Sequence, residues 1–203
     1  MPFSIGEEYL PAILTAHPMT DAEFAELCSE HPDLFFEMTA EGELIVMPPN
    51  YSFTGLVHAE ILEQLKTWAK REGRGAVTDA AAGFVLPSGA RRSPDAAWAL
   101  RSRILELGPK AIEESYWRLC PDFVIEVRSR TDRLRTLREK MREWIDNGAQ
   151  LGWMIDPDNR SVEIYRPNAE PELFNNPEIL PGEGPVDGFV LEMARVWDPL
   201  KLN

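Results

Sequence analysis

Apolar residues recur every three or four positions in three stretches of the chain, which is the period of a helix that packs on one face. The first stretch begins at the capping-box pair Thr20 and Glu23 and predicts a helix over about residues 20–30. The second predicts a helix over about residues 54–71, with a stripe formed by Val57, Ile61, Leu65 and Trp68. The third predicts a helix over about residues 132–147, with a stripe formed by Leu134, Leu137, Met141, Trp144 and Ile145.

Shorter apolar segments predict strands. Segments 33–38 and 43–47 flank a turn and indicate a hairpin, and the nearly continuous apolar run 123–127 indicates a buried central strand. Segments 151–155 and 162–165 are expected to form two further strands joined by a tight turn. Segments interrupted by glycine, proline and serine predict a strand meander at 76–79, 83–87 and 95–100.

The remaining regions complete the predicted fold. Pro109 is typical of a first helical turn and predicts a helix that reaches about Trp117. The region 167–187 contains five prolines and little periodicity, so we predict a long surface loop followed by a closing strand from Phe189. The order of elements predicts an α/β fold, a mixed sheet flanked by helices, and 203 residues suit a single domain.

Composition narrows the setting in which the protein acts. The chain is 44% hydrophobic, enough for a core, but no apolar run approaches the ~18 residues that cross a bilayer. The first ten residues lack the pattern of a secretory leader, so we expect a cytoplasmic protein without a membrane partner. Cys28 and Cys120 are too few for a disulfide framework and lack zinc-site spacing, which predicts two reduced core residues.

The net charge of −13 has the wrong sign for a protein that coats nucleic acid without specificity. Residues 128–142, however, hold seven basic and two acidic side chains, a net charge of +5 in an otherwise acidic chain. We call five of these basic residues the arginine ridge: Arg130, Arg133, Arg135, Arg138 and Arg142. The ridge could hold a phosphate backbone locally, although charge alone favours a solvated helix face.

Two acidic residues stand out among the candidates for chemistry. Asp95 follows Ser-Pro at the start of a predicted strand, and Glu126 lies inside the apolar run 123–127. An ionised carboxylate in a buried strand is costly unless a cation or hydrogen-bond donors compensate it. A divalent metal shared with a second carboxylate would do so, and so would Arg128, which lies on the same strand face two residues on. Spacing alone leaves both explanations open.

Several motifs together resemble a known family. They are Ser-Pro-Asp at 93–95, Glu-Val-Arg-Ser at 126–129, Arg-Glu-Lys-Met at 138–141, Asn-Gly at 147–148 and Leu-Gly-Trp-Met-Ile-Asp-Pro at 151–157. In this order they resemble the Uma-type restriction endonucleases of the PD-(D/E)XK nuclease superfamily, over a core of about residues 35–167. The resemblance implies a restriction-endonuclease-like fold.

The resemblance also implies roles for individual residues. Asp95 and Glu126 match the metal ligands, for Mg²⁺ or Mn²⁺, and Glu60, next but one to His58, is a further candidate ligand from the preceding helix. Arg128 occupies the superfamily's lysine position and is expected to act as an electrostatic clamp. The lysine itself looks to have moved to the next helix, where Lys140 would orient water or stabilise charge.

The function that the resemblance implies is metal-dependent hydrolysis of phosphodiester bonds in nucleic acid, with DNA as the leading choice. The arginine ridge would then line a nucleic-acid track, and cutting both strands of a duplex suggests a homodimer. The alternative is a catalytically lapsed protein that keeps the nuclease fold as an interaction module. The net charge of −13 and the arginine at position 128 favour this alternative.

Overall fold

The computed structural model describes residues 12–15, 19–47 and 51–201 of the chain. Within these ranges the helices are α1 (Asp21–Glu30), α2 (Ser52–Glu72), α3 (Arg101–Glu106), α4 (Pro109–Glu114), α5 (Leu134–Asp146) and α6 (Ala194–Trp197). The strands are β1 (Ala12–Thr15), β2 (Phe35–Met38), β3 (Glu43–Met47), β4 (Gly75–Asp79), β5 (Phe84–Val85), β6 (Arg91–Arg92), β7 (Ala96–Leu100), β8 (Phe123–Val127), β9 (Leu151–Asp156), β10 (Ser161–Tyr165), β11 (Glu172–Asn175), β12 (Ile179–Pro181) and β13 (Val190–Glu192). Among the described residues, no helix is both long and apolar enough to cross a membrane.

Six strands form the main sheet in the order β11-β10-β9-β8-β7-β4. β8 and β9 are parallel, and the other neighbouring pairs are antiparallel, so the sheet is mixed as predicted. All five residues of β8 are buried, which confirms the central strand. Helix α5 lies between β8 and β9 in the chain and makes the crossover that parallel neighbours require.

Helices cover both faces of the main sheet. The buried stripe of α2, from Val57 to Trp68, packs with Trp98 and Phe123 on one face. On the other face, the stripe of α5 packs against Val124 and Met154. Its fully covered members are Leu137, Met141 and Trp144. Both stripes were predicted from helical periodicity, and each large apolar side chain so buried contributes roughly 1.5–3 kcal/mol.

A second, smaller sheet has the strand order β1-β3-β2-β6-β5. The predicted hairpin forms its centre, with β2 and β3 antiparallel. Helix α1 covers it through Phe24, which packs with Met38 and Val46. The capping box that opens α1 is present, because Thr20 and Glu23 bond to each other's backbone N–H groups.

The predicted third helix ends as the sequence indicates. The α5 helix stops at Asp146, and Gly148 follows with φ 116°. Glycine adopts this left-handed conformation without the steric penalty of a Cβ, so the chain can leave the helix and enter β9. The two cysteines are free thiols, Cys120 buried and Cys28 partly buried, as expected.

Two expectations about the chain's organisation need correction. The proline-rich region 167–187 is not a plain loop, because it contains β11, β12 and a 3-10 turn at Gly184–Val186. β11 extends the edge of the main sheet, and β12 pairs with the closing strand β13. These strands are three or four residues long, too short for an alternation of apolar and polar residues to be recognised in the sequence.

The predicted meander is divided between the two sheets. β4 and β7 pair in the main sheet, whereas the two-residue strands β5 and β6 pair with each other in the small sheet. The helices α3 and α6 were not predicted. With six and four residues they are too short to show a helical apolar stripe.

A glycine in β4 gives a test of this packing. A Cβ at Gly75 would lie 2.1 Å from the ring of Trp98, which is 1% exposed and cannot move away. We therefore expect Gly75→Ala to lower the free energy of unfolding by about 1–3 kcal/mol in a urea titration.

Gly55, in α2, is the matched control because a Cβ there meets no atom within 4 Å. Gly55→Ala should raise stability by about 0.5–1 kcal/mol, since alanine restricts the unfolded chain more than glycine. Equal stability of the Gly75→Ala variant and the wild type would contradict the packing of β4 against Trp98.

Candidate active site

Asp95 and Glu126 face each other across two neighbouring strands. β7 and β8 pair with Ala96 opposite Ile125, so the same register places Asp95 opposite Glu126. Directly opposite residues of an antiparallel pair lie on one face of the sheet. The Val127 N–H donates to Asp95 Oδ2 at 2.6 Å, which ties the aspartate to β8. The two predicted ligands are therefore neighbours on one face.

The ammonium of Lys140 lies against Glu126. Its Nζ is 2.9 Å from Oε1 and 3.0 Å from Oε2 of that carboxylate. It also donates to the Ser93 carbonyl at 3.0 Å and lies 2.8 Å from Glu37 Oε1. Lys140 borders the buried stripe of α5, so its stem follows the core edge while its ammonium reaches the strands.

Glu37 is a member of this cluster that the sequence reasoning missed. It lies on β2 in the small sheet, is 2% exposed, and accepts from the Ser93 N–H and Arg92 Nη1, each at 3.0 Å. The signal that would have found it is the one used for Glu126, a glutamate inside an apolar strand. Phe-Phe-Glu-Met at 35–38 has that pattern.

Glu126 has a second donor on α5. The Trp144 indole N–H donates to its Oε1 at 2.8 Å, inside the core. Arg128, the other partner that the sequence allowed for Glu126, instead donates from Nη1 to Asp156 Oδ2 at 2.7 Å. The explanation in which Arg128 compensates Glu126 is therefore wrong, because Lys140 and Trp144 do so.

The electrostatics of the cluster reflect burial and an excess of acid. Burial raises the pKa of Asp95, although His58 and Lys140 favour its charged form. Burial also raises the pKa of Glu126, to about 8, with help from the charges of Asp95 and Glu37 and against the opposing effect of Lys140. Glu126 therefore keeps its proton to a higher pH than an ordinary glutamate, although the Lys140 ammonium lies against it.

The pKa values of Lys140 and Glu37 shift in the directions that favour their charged forms. Burial alone would lower the pKa of Lys140, but Glu126, Glu37 and Asp95 together raise it. Burial opposes ionisation of Glu37, but Lys140 and Arg92 lower its pKa. The Lys140 ammonium thus binds the buried carboxylates of Glu37 and Glu126, and the Arg92 guanidinium is shared between Glu37 and Glu143.

The structure places His58 beside this cluster and Glu60 elsewhere. His58 is 8% exposed, and its Nε2 lies 3.6 Å from Asp95 Oδ1. Glu60 points toward α6, where its Oε2 is 3.9 Å from Arg195 Nη1. Among the described contacts none joins Glu60 to Asp95, so its assignment as a ligand rests on the sequence alone.

The arginine ridge is largely paired with acids of its own chain. Arg138 Nε bonds both carboxylate oxygens of Glu163 at 3.0 Å. On the surface, Arg130 pairs with Asp158 and Arg135 with Glu139. The remaining two members are exposed: Arg133 is the N-cap of α5, and Arg142 lies near enough to Glu163 to help lower the pKa of that acid.

The cluster suits a hard divalent cation that keeps most of its water. No group of three or more histidine, cysteine, aspartate or glutamate residues within the described ranges forms a ready-made metal cage. Mg²⁺ in phosphoryl-transfer sites commonly binds through one or two carboxylates and completes its shell with water and phosphate oxygens. Glu126, which is buried, and Asp95, which is partly buried, both have raised pKa values and fit that pattern.

Comparison with known proteins assigns the family. The model of the Uma2 family, described as "Putative restriction endonuclease", matches residues 21–194. The chain belongs to the Uma2 family. No protein with a curated description matches the chain.

A solved structure shares the fold of this Uma2 protein. It is the crystal structure of a putative nuclease belonging to DUF820 from Anabaena variabilis, which superposes with a TM-score of 0.72 at 21% sequence identity. The match covers 89% of this chain and 98% of that one. The predicted nuclease-like fold, a mixed sheet flanked by helices in one domain, is thereby confirmed.

The raised pKa of Glu126 predicts how the stability of this Uma2 protein depends on pH. A folded-state pKa of about 8, above the ordinary 4.5, means that the contribution of Glu126 is complete below about 4.5 and lost as pH rises through 8. We expect the free energy of unfolding to fall by a few kcal/mol, roughly, over this range. Glu126→Gln cannot ionise and should show a flatter curve in urea titrations from pH 5 to pH 9.

Glu139→Gln is the control, because Glu139 belongs to α5 but is exposed and pairs only with Arg135 among the described residues. It should reproduce the wild-type pH dependence. A Glu126→Gln curve as steep as that of the wild type would show that the proton is held by another group.

Proposed function

We propose that this protein is a metal-dependent endonuclease that hydrolyses phosphodiester bonds of DNA. The observation that carries the proposal is the pair formed by the partly buried Asp95 and the buried Glu126 in opposite positions of the strand register, with the Lys140 ammonium against Glu126. A carboxylate pair beside a fixed cation is an arrangement suited to a metal ion and a phosphate together. Membership of the Uma2 family supports the same chemistry.

The proposed cofactor is Mg²⁺ or Mn²⁺, held by Asp95 and Glu126. When bound, such an ion polarises the scissile phosphate and lowers the pKa of a coordinated water. The raised pKa of Glu126 adds an expectation: the carboxylate releases its proton when the ion binds, so affinity for the ion rises with pH.

The chain's own residues supply the rest of the proposed mechanism. Lys140, kept charged by its acidic neighbours, stabilises through its positive charge the negative charge that develops on the phosphate. Trp144 holds Glu126 in place through its indole N–H. Arg128 adds positive charge near the end of β8, reduced by its pair with Asp156.

The proposal extends to substrate, assembly and location. Exposed members of the arginine ridge, chiefly Arg133 and Arg142, would contact the DNA backbone. A homodimer would present two sites to the two strands of a duplex. The free thiols Cys28 and Cys120 are consistent with the reducing environment of the cytoplasm.

The alternative is a protein that keeps the fold as a non-enzymatic interaction module. Internal pairing of Arg130, Arg135 and Arg138 favours it, because these charges are already engaged by acids of the same chain. The net charge of −13 works in the same direction. The intact cluster of Asp95, Glu126 and Lys140 argues against it.

Removal of one ligand charge tests the catalytic proposal. Asp95→Asn keeps the side-chain volume but removes the charge that a metal ion needs, so we expect cleavage of plasmid DNA with Mn²⁺ to fall more than about 100-fold.

Lys140→Met should lower kcat by about 10²–10³ and leave Mn²⁺ affinity close to that of the wild type. Gel assays measure the cleavage rate, and calorimetric titration measures the affinity for Mn²⁺.

The matched control is Asp158→Asn, which removes an exposed acid that is 49% accessible and pairs with Arg130. It should cleave like the wild type. Wild-type protein that cuts neither DNA nor RNA with Mg²⁺ or Mn²⁺ would favour the interaction module.

The exposed arginines give a separate test of the nucleic-acid track. We expect the double change Arg133→Ala and Arg142→Ala to weaken binding to all DNA sequences alike. The slope of log affinity against log salt should become shallower by about one to two units, because fewer counterions are released. Fluorescence anisotropy at several salt concentrations measures the slope, and an unchanged slope would make these arginines a solvated surface.

A further inference from the structure

Glu37 connects the small sheet to the candidate site. Its Oε1 lies 2.8 Å from Lys140 Nζ and accepts the Ser93 N–H at 3.0 Å, while its Oε2 accepts from Arg92 at 3.0 Å. The side chain is 2% exposed, so water does not compete for these contacts. One carboxylate thus binds the Lys140 ammonium and the segment that leads into Asp95.

The ammonium of Lys140 has three N–H donors, and the structure offers three acceptors. They are the carboxylates of Glu37 and Glu126 and the carbonyl of Ser93. The flexible four-carbon stem of a lysine does not by itself hold the ammonium at one point. Glu37 is the acceptor that belongs to a strand of the small sheet, and it completes the set of three acceptors on that side.

We propose that Glu37 is a positioning residue of the site: it holds the ammonium of Lys140 against Glu126, where the reacting phosphate would lie. This inference rests on the proposed nuclease function and names a residue that acts through Lys140 rather than on the substrate. Without Glu37 the ammonium keeps two acceptors and becomes free to leave Glu126. The Asp95 and Glu126 carboxylates are untouched, so metal binding is expected to persist.

Glu143 provides a matched control for Glu37. Arg92 is bound by two acids, Glu37 through Nη1 and Glu143 through Nε. Glu37→Gln and Glu143→Gln therefore each remove one acid from Arg92, but only the first also removes an acid from Lys140. A purely structural role of the Arg92 network predicts similar effects of the two changes.

The first experiment is a double-mutant cycle on DNA cleavage with Mn²⁺. We expect Glu37→Gln to lower kcat roughly 10- to 100-fold with KM and Mn²⁺ affinity within about twofold of the wild type. Added to Lys140→Met, it should cause no further loss, because its effect passes through the lysine. Glu143→Gln should leave kcat within about twofold.

The second experiment needs no cleavage. An ammonium held by three buried acceptors exchanges its protons slowly with water and gives its own signal in a proton–nitrogen NMR spectrum, which Lys140→Met assigns. We expect Glu37→Gln to abolish this signal and Glu143→Gln to retain it. Should Glu37→Gln fold poorly, Glu37→Asp keeps the charge but withdraws it by one methylene, and the signal should again be lost.

The outcomes separate this inference from the proposed function. Cleavage by the wild type with kcat unchanged in Glu37→Gln, an equal further loss on the Lys140→Met background, or a persistent ammonium signal would each overturn the role of Glu37. A wild type that does not cleave, but whose ammonium signal depends on Glu37 and not on Glu143, would overturn the nuclease and leave the positioning intact.

Discussion

The ammonium of Lys140 binds the small sheet through Glu37, the main sheet through Glu126, and the connection before β7 through the Ser93 carbonyl. Its side chain is only 15% exposed, so the charge has lost most of its water. Removing one partner of such a group leaves the others as uncompensated buried charges, which typically costs several kcal/mol. This one cation therefore helps to fix how the two sheets lie around the site.

The balance of charge around Lys140 also accounts for the chemistry of the cluster. Three carboxylates face one ammonium and a shared guanidinium, so the site lacks positive charge when all its acids are ionised. Burial and the neighbouring acids therefore raise the pKa of Glu126 to about 8, which favours its protonated form. A divalent cation would compensate the same excess of acid.

Local patterns predicted the parts of this arrangement that one segment determines. The stripes of α2 and α5 and the apolar run of β8 each involve enough residues for their period to be read from the sequence. The convergence of Glu37 on Lys140 could not be read, because it joins residues 103 positions apart across two sheets. The division of the predicted meander has the same cause: β5 and β6 are two residues long, and only tertiary pairing decides their sheet. The ion pairs of the arginine ridge likewise depend on acids such as Glu163 that lie on other strands.

The pairing of Arg128 follows from the register of the main sheet. β8 and β9 are parallel with Val127 beside Ile155, so the next residues along the two strands are Arg128 and Asp156. A guanidinium at this place has an acid within reach on the neighbouring strand and pairs with it at 2.7 Å. A lysine at position 128 has a shorter side chain than arginine, and Asp156 would compete with Glu126 for its ammonium. A cation supplied from α5 avoids this competition, because the stem of Lys140 enters along the core edge and its ammonium reaches Glu126 and Glu37. In this arrangement the positive charge next to Glu126 comes from α5, and Arg128 ties β8 to β9.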